Sequence, residues 1–164
     1  MRRVIHTTAA VLAAVAAYVA VTLPARRVTF PAPPATVVTG AYHVHTTRSD
    51  GAQTPAAIAA TAARAGLQFV ILSDHGDATR APDAPHYVDG VLMIDAAEIS
   101  AVEGHIVALG LTGPAPYRLA GEARDVIEDI HRLGGTAIVA HPDSPRQDLR
   151  WRNTAPVAGP RGGG

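Results

Sequence analysis

The sequence predicts an α/β fold with a largely parallel sheet, preceded by an apolar N-terminal helix. Three observations predict it. Short apolar runs alternate with helical patterns between residues 37 and 140. Histidines recur at the ends of those runs. A charge-free stretch from Val4 to Leu23 follows Met1-Arg2-Arg3.

The N-terminal stretch comes first. About 20 residues rising 1.5 Å each match a bilayer core of roughly 30 Å. A membrane anchor is the preferred reading. A cleaved secretory signal ending near Leu23-Pro24-Ala25 is the next. A buried core helix fits worst, because proline-rich sequence follows directly. The paired arginines at the start weakly resemble a twin-arginine signal. Arg2 and Arg3 compete with Arg26 and Arg27 in setting orientation, and a short basic N-terminus favours an exported C-terminal portion. The expected organisation is a transmembrane or signal segment (1–25), a stiff proline-rich linker (26–36) containing Pro31-Ala32-Pro33-Pro34, a metal-binding domain (37–150) and a disordered tail (151–164).

Within the domain, Val37–His45 reads as a buried strand. Thr54-Pro55 opens a helix, with threonine as N-cap and proline at the first helical position; Gly66 ends it after Arg64. Phe69–Leu72 is a continuous apolar run, as in a strand covered on both faces. Val91–Ala97 and Ile106–Leu109 are further strands. Glu122–Leu133 is amphipathic, with Val126, Ile130 and Leu133 on one face, and Gly134-Gly135 stops it. Thr136–Ala140 is the fifth strand.

Composition excludes several chemistries. The net charge is zero and no segment carries a basic stripe, so a nucleic-acid groove is not indicated. There is no cysteine, which removes disulfides, thiolate metal sites and a cysteine nucleophile. Any metal must be held by imidazole and carboxylate.

The chain has eight histidines. His43 and His45 end the first strand, His75 the second and His141 the fifth. Ligands gather at the carboxyl ends of parallel strands in α/β folds. Strand residues two apart point to one face, roughly 6.5–7 Å apart, so His43 and His45 can converge on one cation, or stand as two partly exposed strand residues. Glu98 and His105 lie at the same sheet end if their strands are antiparallel. Glu98 is then placed to bridge two cations, and Glu103 is the better solvated loop glutamate. Asp50 is a turn aspartate before Gly51 or a ligand. Asp74 either orients a ligand imidazole or caps its loop. His86 and His131 read as surface residues and His6 as structural.

These residues fall into four motifs. Tyr42-His43-Val44-His45-Thr46-Thr47-Arg48-Ser49-Asp50-Gly51 resembles the first motif of the PHP (polymerase and histidinol phosphatase) family. Ser73-Asp74-His75-Gly76 resembles the second. Ala97-Glu98-Ile99-Ser100 with Gly104-His105-Ile106-Val107-Ala108-Leu109-Gly110 resembles the third, and Ala140-His141-Pro142 the fourth. The wording around Glu98 is most similar to the carbaryl hydrolase-like branch. The resemblance covers roughly residues 38 to 145.

The resemblance implies a distorted (β/α)7 barrel, here partial and C-terminally truncated, because the family's final Asp-x-His motif is missing after His141. It implies two or three divalent metal ions, zinc, manganese or iron. His43 and His45 would bind one with Glu98, Asp50 and His75 a second with Glu98 bridging, and His105 and His141 a third. Asp50 and Asp74 are the catalytic candidates for proton transfer. The implied function is a metal-dependent hydrolase, a phosphoesterase first, acting on a small-molecule phosphoester at a membrane or in an exported domain. The alternatives are a carbamate, ester or amide hydrolase, a truncated non-catalytic metal-binding fragment, and a polymerase-associated nuclease, which the missing basic patch disfavours.

Overall fold

The structure is a computed structural model that describes residues 2–22 and 34–152. The expected cleavage site at 23–25, the linker up to residue 33 and tail residues 153–164 lie outside the described residues. The chain divides into two compact units, Met1–Pro34 and Ala35–Gly164.

The first unit carries helix α1 (Arg2–Thr22), closed by a Thr22 hydroxyl hydrogen bond to the Tyr18 carbonyl at 2.7 Å. The expected membrane span is corrected here. Among the described residues, no helix is long and apolar enough to cross a membrane. Alanine is the commonest residue of α1, and its single methyl contributes little to transfer into lipid. The reading of a transmembrane helix, and the membrane-anchored or exported location built on it, therefore lose their support.

The second unit contains β1 (Gly40–Val44), α2 (Pro55–Arg64), β2 (Phe69–Leu72), β3 (His86–Val88), β4 (Val91–Ser100), β5 (His105–Leu109), α3 (Ala123–Arg132) and β6 (Thr136–Val139). The strands form one six-stranded sheet in the order β1-β2-β4-β5-β6, with β3 paired to β4. Pairing is parallel from β1 through β2 to β4, and antiparallel from β4 through β5 to β6. The fold is thus a mixed sheet curled into a half-barrel. This corrects the largely parallel sheet and the partial, TIM-like (β/α)7 barrel expected from sequence. The reason is local. A parallel crossover needs a dozen or more residues, and only residues 101–104 separate β4 from β5. That turn closes on itself, with the Ala101 amide donating to the Gly104 carbonyl at 2.9 Å. β3 is a second hairpin the periodicity overlooked. Its turn is Asp89-Gly90, both at positive φ (51° and 80°), as a two-residue hairpin requires.

Both helices of this unit cover the same sheet face. Ala59 and Ala62 of α2 pack on Val70, Leu72, Val91 and Met93. Val126 and Ile130 of α3 pack on Ile99, Ile106 and Ala108. The caps are the expected ones for α2: the Thr54 side chain accepts from the Ala57 amide, Pro55 opens the helix and Gly66 follows at φ 76°. The opposite face holds a smaller cluster of Ala96, Val107 and Ala140 with the half-buried Ile71, Leu109 and Ile138. Glu98 pairs with Val107 across the β4–β5 ladder, so its side chain belongs to this second face.

Candidate metal centre

Glu98 is a carboxylate inside a strand, and its side chain is 1% exposed. The chain path brings five imidazoles to it. On Oε2 the distances are 3.2 Å to His43 Nε2, 2.9 Å to His45 Nε2 and 3.3 Å to His75 Nδ1. On Oε1 they are 3.1 Å to His105 Nδ1 and 2.9 Å to His141 Nε2. The rings form a closed circuit, 43–45–75–105–141–43, with successive centroids 5.2, 4.6, 5.4, 5.1 and 5.5 Å apart.

Each ring is delivered by a different device. Pairing between β1 and β2 slips between Ala41 and Val44, and His43 sits in this irregularity at φ 64°. His141 follows β6 at φ 30°. A non-glycine residue at positive φ is strained and held only by its surroundings. So His43 and His45 do reach one place, but through a bulge rather than simple alternation. His75 lies beside Glu98 through continued parallel pairing: the Gly76 amide donates to the Glu98 carbonyl and the Glu98 amide to the Asp74 carbonyl, both at 3.0 Å. His105 opens β5 opposite Ser100, as the antiparallel arrangement predicted.

The acidic residues divide by role. Asp50 Oδ1 accepts from His45 Nδ1–H at 2.6 Å, which leaves His45 Nε2 facing Glu98; its Oδ2 lies 3.7 Å from His75 Nε2. The His45 hydrogen bond, helped by the charges of His45 and His75, holds the Asp50 carboxyl below its ordinary range against an opposing effect of burial. Asp74 is turned the other way. It accepts from the Thr46 amide (2.7 Å), the Thr46 hydroxyl (2.8 Å) and the Ser49 hydroxyl (2.7 Å). It caps the loop between His45 and Asp50, one of the two expected alternatives, and contacts no ligand imidazole through a hydrogen bond. Gly51 lets that loop close, since a Cβ there would lie 2.3 Å from the His45 carbonyl oxygen. Glu103 is not a solvated glutamate: its carboxylate accepts from the Ala123 amide at 2.7 Å and caps α3, whose N-cap residue Glu122 makes no side-chain cap. His86 and His131 are exposed, as expected.

Burial alone would raise the pKa of Glu98. The charge of His43, the hydrogen bond from His141 and the charges of His105 and His75 outweigh it and hold the carboxyl below its ordinary value. A carboxylate offers about four lone-pair directions, fewer than the ring nitrogens gathered around it. The cluster thus holds more ring nitrogens than one carboxylate can hydrogen-bond. The donor set of imidazole and carboxylate without thiolate fits divalent ions. Three groups can hold a metal ion: His43, His45 and Glu98; His45, Asp50 and His75; and His75, Glu98 and His105.

Sequence reasoning missed a polar network beside the centre. Asp95 is buried and takes Arg48 at 3.3 Å, Arg80 at 2.5 Å and the Asp83 amide at 2.8 Å. Arg48 also pairs with Asp83. The network walls a cavity of about 160 Å³ that reaches His75. An arginine inside the His43–Gly51 motif was its only sequence signal. Ser73 is fully buried with no partner for its hydroxyl among the described residues. Tyr42 opens the first motif; burial, then the charge of Glu98, raises its phenol pKa.

No family model matches this sequence. An uncharacterized protein of Methanocaldococcus jannaschii is 30% identical over 116 residues, covering 63% of this chain and 67% of the archaeal one. The chain belongs to the family of that archaeal protein. That membership assigns no activity.

Proposed function

We propose that this chain is a metal-dependent hydrolase of the PHP type its motifs resemble, with phosphoesters as the first substrate class. The convergence of five imidazoles on buried Glu98 supports this reading most. His43 and His45 with Glu98 would hold one cation, Asp50 and His75 with Glu98 a second, and His105 and His141 with Glu98 a third. Zinc, manganese and iron all suit these donors. Cations held there would acidify water, from a pKa of about 15.7 toward 7, and polarise a phosphoryl or carbonyl oxygen.

The chain's own residues would do the rest. Asp50 fixes the tautomer of His45, and its exposed face can accept a hydrogen bond from incoming water. An exposed carboxylate at this place suits orienting that water. Asp74 holds the loop that carries both His45 and Asp50. Arg48 and Arg80 are already neutralised by Asp83 and Asp95, so neither brings unbalanced charge to a substrate in the cavity beside His75. A carbamate, ester or amide carbonyl would meet the same groups as a phosphoryl oxygen. The open sheet favours one second reading, a domain that binds metal without turnover.

Elemental analysis and p-nitrophenyl phosphate turnover test the proposal. The wild type should bind divalent metal and turn over; Glu98→Ala and His45→Ala should lose both. Full activity in either variant would overturn the hydrolase reading, and bound metal without hydrolysis of any ester class would establish the second one.

A further inference from the structure

We infer that residues 142–152 form a positioning strap for His141, anchored by Trp151 in a socket at Gly104. Its effect on a bound cation rests on the metal reading above; its hold on the His141 Nδ1–H does not.

The strap has no helix or strand of its own. It leaves His141 at the end of β6 and returns to the β4–β5 turn. Ser144 donates its amide to the His141 carbonyl (3.1 Å), and Arg150 donates its amide to the Arg146 carbonyl (3.0 Å) and its Nε to the Ser144 carbonyl (2.9 Å). Trp151 then enters the core cluster with Ile99, Ile106 and Leu119, 9% exposed. The Arg152 amide donates to the Glu103 carbonyl at 2.7 Å. Trp151 and Arg152 were expected in a disordered tail; instead they are docked. Gly104 makes the docking possible, because a Cβ there would lie 2.4 Å from the Trp151 ring.

This path puts the Leu149 carbonyl 2.9 Å from His141 Nδ1. A carbonyl only accepts, so Nδ1 must carry the proton, and Nε2 is the nitrogen left to face Glu98, 2.9 Å away. A ligand imidazole is commonly fixed by such a contact from its other nitrogen. Here the need is greater, because His141 has a strained backbone and its holder lies on an irregular segment. Among the described residues, the anchor at Trp151 and the short strap contacts keep the Leu149 oxygen in place. Trp151 and Gly104 are therefore positioning residues, acting on His141 through a backbone carbonyl.

The test uses the full chain. Nitrogen-15 NMR of the histidine rings at one fixed pH, without metal, reads the His141 Nδ1–H hydrogen bond, whether or not Nε2 also carries a proton toward Glu98; zinc affinity is read by competition with a chelator. Trp151 is the chain's sole tryptophan, so its emission reports whether the ring is docked. Wild type should show Nδ1 protonated and hydrogen-bonded. Gly104→Ala should red-shift the emission, lose that hydrogen-bonded signal and weaken zinc about tenfold, in the range for such outer contacts. Trp151→Phe should keep the wild-type signal. Arg150→Ala, an exposed site that leaves the core intact, should give a smaller loss of the same sign. If the emission shifts in Gly104→Ala while the Nδ1–H signal is unchanged and zinc affinity stays within twofold, the strap is merely structural and the inference falls. If Gly104→Ala does not fold, an unchanged Nδ1–H signal and affinity in Arg150→Ala overturn it equally. A wild type that binds no zinc but loses its Nδ1–H hydrogen bond in the variants overturns the metal reading and upholds the strap.

Discussion

At the scale of single residues, Asp74 and Asp83 show how differently two carboxylates serve the same region. Asp74 is buried and answers three donors from the loop between His45 and Asp50. In Asp74→Asn the amide nitrogen cannot accept, so charged hydrogen bonds are lost; we expect about 2 kcal/mol of destabilisation in urea unfolding, with weaker metal binding as His45 loosens. Asp83 is exposed beside Arg48, and the Arg48 hydrogen bond holds its carboxyl below the usual range, against a smaller effect of burial. A depressed folded pKa means stability that is present above the ordinary carboxylate value and lost as pH falls through the lower folded one. Asp83→Asn should therefore cost under about 1 kcal/mol at neutral pH, because solvent screens the pair. The gap from wild type should close in acid, as thermal melts across pH will show. The histidines and Glu98 were legible as a group because they flank apolar runs. The partners of Asp74 were not, since Thr46 and Ser49 look like ordinary loop residues until the chain folds.

At the scale of elements, both helices of the second unit and five of its strands could be read from sequence, because apolar spacing and end signals are local properties. Thr54-Pro55 and Gly66 bracket α2 as expected. The start of α3 was harder. Its cap comes from Glu103, 20 residues away, a contact no local pattern encodes. Glu103→Ala should cost α3 about 1 kcal/mol, the usual worth of a helix cap, measured by urea unfolding followed by circular dichroism. The bulge that turns His43 toward Glu98 was likewise invisible, because it arises from pairing with β2.

At the scale of the whole molecule, each residue of the candidate centre lies in the second unit, on the sheet face away from its two helices. Strands β1, β2, β4, β5 and β6 or their ends meet there. A cation bound by ligands from so many strands would tie the sheet together across its width. Metal at about a hundred times its dissociation constant should add about 2.7 kcal/mol per site to folding. For a domain of this size that raises Tm by roughly 10 °C, and chelation should reverse it. Calorimetry with and without zinc or manganese measures the shift, and Glu98→Ala should show none.

The sequence by itself determined which residues are chemically able to form a centre, where the helices lie, and that no thiolate takes part; those follow from residue type and short-range spacing. Tertiary structure decided that the sheet is mixed and open, that Asp74 holds a loop, that Glu103 caps a helix, and that Leu149 and Trp151 govern His141. Such contacts join residues far apart in the chain, and their energies exist only once the intervening backbone has closed.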